Sequence, residues 1–253
     1  MAGGLVQLLG APFAILCTVG GFVVSLWNLR RIRAREPQPP RANTHPLHDI
    51  REGLAFVWHH RLLRTLAWTS AFWHLLFYGY MALHVLFATR VLGMAPGVMG
   101  SAQMLGGVGI LAGSLLVKPL STQYGTGRAI LAGLCVSALG FALMPAIPVQ
   151  LLGSANLSAI AYGLVVFLLD CGATLFFVPY IALRQRVTPD AVLGRMVATM
   201  RSLTVAMAPL GALLAGALAE HFGVRIGLAC VAAGAVLLAV AAVCAPRLRS
   251  VKD

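Results

Sequence analysis

Asp170 is the one carboxylate set well inside an apolar stretch of this sequence, near the middle of a run from about Leu157 to Leu183. At the centre of a bilayer a carboxylate costs about 2.5–3.5 kcal/mol, so an acid kept there is by default a working group. It can carry a proton or meet a cationic or polar solute. It can also fasten two helices as a neutral hydrogen-bonding group, and the residue type alone leaves both roles open. In another run His74, Tyr78 and Met81 recur at i, i+4 and i+7, one helical face suited to lining a water-filled cavity. Gln103, with Gly107 and Ser114 on its face, is a further cavity candidate. Trp68, Trp73, Tyr80 and His84 share the run of His74. Such residues often form an aromatic belt at the membrane surface, and Trp68 and His84 are expected there.

Other chemistries find little support. Gly107 to Gly113 superficially resembles a dinucleotide-binding loop, but that loop needs a preceding strand, and this one sits inside an apolar helix. Gly109 and Gly113, like Ala102 and Gly106 and like Ala208, Ala212 and Gly216, are four apart and suit close helix packing. His45-Pro46-Leu47-His48 is interrupted by proline, and the adjacent His59 and His60 diverge on a helix, so solvated histidines are expected there, not a metal site. The five cysteines lie in or at the ends of apolar runs without a CxxC, as small packing residues. No HExxH, GxSxG or Walker sequence occurs, and neither an enzyme nor a cofactor is expected.

The elements that position these residues follow from solvent. Apolar residues make up 59% of the 253 and charged ones 10%, whereas a soluble domain carries about a quarter charged. So few charges cannot cover a water-exposed surface, but a bilayer accepts apolar side chains directly. Seven apolar runs of roughly spanning length can be traced: Leu8–Leu29, Thr65–Ala88, Gly97–Val117, Arg128–Ile147, Leu157–Leu183, Ser202–Ala219 and Ile226–Ala245. The implied fold is an all-α integral membrane bundle of seven transmembrane helices. Alternating the loops between two sides places seventeen Lys and Arg on one side and leaves only Arg90 and Arg225 on the other. That asymmetry marks the basic side as cytoplasmic, with the N-terminus outside and the C-terminus inside. The net charge of +12 is therefore topological. Nucleic-acid binding would need the basic residues gathered on one folded face, and it is not expected. The first residues lack a basic n-region, so no cleaved signal peptide is expected.

Between the first two runs, Arg35-Glu36-Pro37-Gln38-Pro39-Pro40 reads as an extended linker. Leu47, Ile50, Leu54, Val57 and Trp58 then recur at helical spacing among charged residues, an amphipathic helix expected in the headgroup plane with Trp58 at the interface. Thr188-Pro189-Asp190 reads as an N-cap, a proline at the first helical position and an acid in the first turn, opening a helix into the sixth run.

Several stretches together resemble the major facilitator superfamily, in particular bacterial exporters of the enterobactin-exporter and macrolide-efflux kind. They are Gly3 to Pro12, Ile50-Arg51-Glu52-Gly53-Leu54, Leu86 to Gly93, Thr188-Pro189 through Gly194-Arg195, and Ala208-Pro209-Leu210-Gly211. The resemblance implies the C-terminal part of a twelve-helix transporter. Residues 1–29 would be the sixth helix with a remnant of what precedes it, positions 1–7 being the tail of a fifth. Residues 30–64 would be the central cytoplasmic loop, 65–246 the C-terminal six-helix bundle and 247–253 a cytoplasmic tail. Lys118 to Gly125 is similar to the family's cytoplasmic gating loop, with Leu120 and Gly125 matching and Arg128 beyond them. Thr122 and Gln123 stand where that loop carries an acid and a base, and Thr18 where an acid is expected in the first run. The function implied is proton-coupled efflux of a small amphipathic solute across the inner (plasma) membrane, with a missing N-terminal half as partner. Asp170 would couple, while His74, Tyr78 and Gln103 would line the cavity. The alternative is a membrane fragment or interaction subunit that does not transport until a second half completes it.

Overall fold

The computed structural model describes residues 2–31 and 46–245. The Pro-rich stretch 35–40, His45 and the tail 247–253 lie outside the described residues, as do the side chains of Cys17, Thr18 and Leu47.

Eight α-helices account for nearly everything described: α1 Ala2–Arg30, α2 Pro46–His59, α3 Arg61–Leu86, α4 Pro96–Tyr124, α5 Thr126–Leu143, α6 Ala155–Arg186, α7 Asp190–Phe222 and α8 Val224–Cys244. A π turn over Phe87–Val91 ends α3, and a short 3-10 turn, Met144–Ala146, follows α5. There is no strand among the described residues, only a single β-bridge between Leu151 and Ser154. Six helices, α3 to α8, are long and apolar enough to cross a membrane. The first of the seven runs lies in α1, a continuous 29-residue helix around Pro12. Positions 2–7, expected as the end of a preceding helix, are its first turns.

The bundle from α2 to α8 is organised by close backbone approaches. A β-carbon placed on Gly109 would collide with the Phe167 carbonyl oxygen, and one on Gly113 would come within 2.7 Å of the Cys171 carbonyl, so α4 lies directly against α6. Gly79 and Gly211 do the same for α3 and α7, the latter pressed on the Leu75 carbonyl oxygen. Gly133 and Gly172 join α5 to α6. Small residues are the natural currency here, since lipid offers no hydrophobic drive for helices to associate and close van der Waals contact must supply it.

Two hairpins repeat one geometry. Gly125 joins α4 to α5 at φ +88°, ψ 153°, and Gly223 joins α7 to α8 at φ +91°, ψ 153°. Both sit in a region that side chains with a β-carbon rarely adopt. Helices α3–α5 and α6–α8 thus form two three-helix units that pair crosswise, α3 on α7 and α4 on α6.

Phe87, Phe141, Tyr162, Phe176, Leu63 and Met196 are fully enclosed at the helix junctions. Leu115, Leu213 and Leu237 are 69%, 69% and 68% exposed, side chains that suit a hydrocarbon solvent. One local expectation is corrected. Thr188 does not cap α7: its hydroxyl donates to the Arg184 carbonyl at 2.6 Å at the end of α6, and Pro189 takes the N-cap position. Trp73, whose place the sequence left open, lies in the core. Its indole N–H donates to Ser137 Oγ at 3.1 Å, a partner buried in the adjacent α5.

Candidate functional site

Helix α3 carries two polar stripes, and they open into different spaces. Ser70, His74 and Tyr78 line a cavity of about 310 Å³ bounded by α6 and α7. Phe77, Tyr80 and His84, in register with Trp73, face a smaller space of about 100 Å³ against α4 and α6. The expected site residues are therefore divided: His74 and Tyr78 fall in the first cavity, Asp170 and Gln103 in the second, which Met81 also lines.

The smaller cavity is built around Asp170. Its carboxylate lies over Gly106 of α4, where a β-carbon would collide with Asp170 Oδ2 and stand 2.9 Å from Val166 Cγ1. The acid can occupy mid-bundle because α4 has a glycine opposite it. Tyr80 and Gln103 approach the Tyr162 hydroxyl from α3 and α4, and His84 stacks on Tyr80 with ring centroids 5.1 Å apart. His84 Nδ1 is 3.0 Å from the Met81 carbonyl, so this ring is tied into the bundle and does not reach for headgroups. His84, Tyr80 and Tyr162 were missed as site residues. The available signal was the spacing of Trp73, Phe77, Tyr80 and His84 at i, i+4, i+7 and i+11.

An aromatic layer lies between the two spaces. Trp73 packs on Phe77 at 4.8 Å, nearly parallel, and on Phe177 at 4.8 Å, edge to face. Phe177 in turn meets the His74 ring at 5.2 Å. Phe77 walls the Asp170 side and Phe177 the His74 side. The larger cavity continues toward Arg184 and Arg201, neither of which was expected to face inward. His74 Nδ1–H donates to the Ser70 carbonyl at 2.7 Å, fixing its ring along the wall.

A family model described as MFS/sugar transport protein matches residues 5–155, more than half of the chain. The chain belongs to the major facilitator superfamily. It is also 30% identical over 261 residues to the multidrug efflux pump Tap of Mycolicibacterium fortuitum, an alignment that takes in 98% of this chain and 59% of the relative. The chain thus spans about three fifths of that curated relative's length. No solved structure matches. Family membership and six apolar helices among the described residues make this a multi-pass membrane protein.

Within this superfamily member, the segment expected to gate is helical almost throughout. Leu120 lies in the last turns of α4, half-buried, Gly125 is the left-handed link, and Arg128 is exposed in the first turn of α5. The glycine is needed for its backbone angle, and the structure assigns no contact between these three residues and either cavity. His48, Asp49 and Glu52 gather at one end of α2 close enough to hold a metal ion, yet Arg195 meets Asp49 at 3.0 Å and Glu52 at 2.9 Å. That arrangement is an ion-pair clamp.

Proposed function

We propose that this chain forms the C-terminal wall of a proton-coupled exporter of small amphipathic solutes in the inner membrane. Its N-terminus is outside, its C-terminus and arginine-rich ends are cytoplasmic, and a second six-helix half supplies the opposite wall. The observation that carries the proposal is the Asp170 carboxylate held over Gly106 in a polar pocket with Gln103 and Tyr80, one aromatic layer away from a cavity large enough for a small molecule. The likeness to a multidrug efflux pump supports export as the direction.

In this reading solute enters the His74–Tyr78 cavity from the cytoplasm, and the two halves rock about it to alternate access. Asp170 couples the proton to that rocking. Its charged form holds water or a cation in the pocket, whereas its neutral form lets the surrounding helices close without stranding a charge in a low-dielectric interior. A proton from outside therefore favours one of the two arrangements, which is all a coupling ion needs to do.

The test is Asp170→Asn, made in this chain joined to a second half and at the aligned position of the full-length relative, with solute efflux followed in vesicles under an imposed pH gradient. Transport should lose its dependence on the gradient and fall at least tenfold. Efflux with unchanged rate and pH dependence rejects the assignment. The sparse burial of α4 and α7 favours a second reading, a membrane interaction subunit that moves nothing by itself. Solute flux in vesicles holding this chain alone separates the two.

A further inference from the structure

Seven carboxylate side chains occur in the sequence: Glu36, Asp49, Glu52, Asp170, Asp190, Glu220 and Asp253. Of the five among the described residues, Asp49, Glu52, Asp170, Asp190 and Glu220, none lines the cavity between α3, α6 and α7, whereas Arg184 and Arg201 both do. Asp49 and Glu52 are taken up by Arg195, and Asp170 belongs to the other pocket. Among the described residues, neither cavity arginine has a carboxylate within ion-pair distance.

Arginines at the cytoplasmic ends of spans ordinarily extend outward, laying the alkyl stem on apolar surface and the guanidinium in water or among headgroups. Arg184 does not. Its guanidinium lies over the Tyr180 ring at 5.2 Å, one terminal nitrogen is 3.9 Å from the Met200 sulfur, and its Nε is enclosed without a hydrogen-bond partner. A rigid, weakly hydrated fork held this way keeps donors unspent, and its planar geometry matches the two oxygens of a carboxylate, sulfonate or phosphate. Tyr78 and Phe177 supply an apolar, aromatic wall in the same cavity, whose volume of about 310 Å³ falls within the range of small-ligand sites.

We propose that this cavity is an anion site: Arg184 and Arg201 hold the carboxylate, sulfonate or phosphate of an amphipathic solute whose apolar body lies against Tyr78 and Phe177. That the occupant is a transported solute rests on the export reading; the binding does not, and it is measured without transport.

The experiment uses the full 253-residue chain in phosphatidylcholine nanodiscs, titrated calorimetrically with naphthalene-2-sulfonate and with the matched cation 2-naphthyltrimethylammonium. The sulfonate should bind at least tenfold more tightly than the cation. Arg184→Gln and Arg201→Gln should each weaken it at least tenfold, Arg184→Lys less because charge is kept while the fork is lost. Arg51→Gln, which removes an exposed charge at the same end of the bundle, should leave it unchanged. Arg201 is exposed on its helix, so its variant carries the test if Arg184→Gln does not fold. Equal affinity for the two probes, or full affinity in a folded Arg201→Gln, overturns the proposal. Repeating the titration with phosphatidylglycerol in the discs separates the sources. Unchanged affinity supports a free solute, whereas competitive weakening assigns the two arginines to a lipid headgroup and overturns the solute.

Discussion

Neighbouring glycines of α4 have different surroundings, and the difference predicts separable phenotypes. At Gly106 an added methyl meets only side-chain ends, that of Asp170, which can swing aside, and Val166 Cγ1 at 2.9 Å; at Gly109 it meets the Phe167 main chain, which cannot move away; at Gly107 it meets nothing within 4 Å. Gly109→Ala should therefore cost about 1–3 kcal/mol through overpacking and lower the melting temperature in detergent. Gly106→Ala should lower the melting temperature less than Gly109→Ala but lose gradient-driven export, because the carboxylate is pushed from its pocket. Gly107→Ala should be neutral in both. Equal melting losses for Gly106→Ala and Gly109→Ala would show that the Asp170 side chain is not the group that yields. Asp170 itself was legible because a lone acid in an apolar run has few explanations. Its surroundings were not: Tyr80 and His84 share a run with His74, and only the rotation of α3 against α4 and α6, fixed by contacts between distant glycines, decides which stripe faces which cavity. The inward turn of Arg184 was hidden for another reason, since the topology rule already accounted for every basic residue at that end.

Among the elements, α2 is held to the beginning of α7 by a clamp more specific than an amphipathic pattern conveys. Arg195 meets both Asp49 and Glu52, and Gly53 brings the helix so close that a β-carbon there would stand 2.8 Å from the Arg195 carbonyl and 2.6 Å from Thr199 Oγ1. The paired side chains are all roughly a quarter to two fifths exposed, so each pair is worth at most about 1 kcal/mol after screening. The close backbone fit is the larger constraint. Gly53→Leu should accordingly lift α2 and raise amide hydrogen exchange over residues 46–59 at least tenfold, while Arg195→Gln should raise it severalfold and more so at low salt. Exchange that responds to Arg195→Gln but not to Gly53→Leu would reverse that ranking. The apolar face of α2 was visible in the sequence, but its docking on α7 was not, because the partner lies about 140 positions away. Helix cores were found from hydropathy and helix ends were not, for a related reason. Helix α4 runs on through Lys118 to Tyr124, and α7 begins twelve residues before the run at Ser202. At 1.5 Å per residue these helices are roughly 44 and 50 Å long, against a hydrocarbon core of about 30 Å. Apolar runs mark only the portion inside lipid.

At the scale of the molecule, two three-helix units with matching glycine links pair crosswise, and the arrangement distributes burial unevenly. Helices α3, α5 and α6 are well enclosed, whereas α4 and α7 bury little within this chain. These last two occupy equivalent places in their units, each the long helix before its glycine link, and each packs one narrow small-residue face on the other unit. Met104, Val108 and Leu111 on α4 and Val205, Leu210 and Leu214 on α7 are left exposed. Lipid can cover such side chains, but α4 borders the cavity beside Asp170 and α7 the cavity beside Arg184, and both cavities would then face hydrocarbon. Arginine and carboxylate groups opening on lipid are costly, so covering by a second helical half is favoured over covering by acyl chains. A six-helix partner taken from the portion of the relative that this chain does not match should therefore be retained by the tagged chain on an affinity column in mild detergent. The relative's own matching portion should wash through. Charges placed on the exposed faces, as in Leu111→Arg or Leu214→Arg, should abolish retention of the partner without preventing insertion of the chain, since both helices remain apolar enough to span. Equal retention of the two portions, or retention indifferent to both charges, would mean that these faces are lipid-facing and that the cavities are closed by other means.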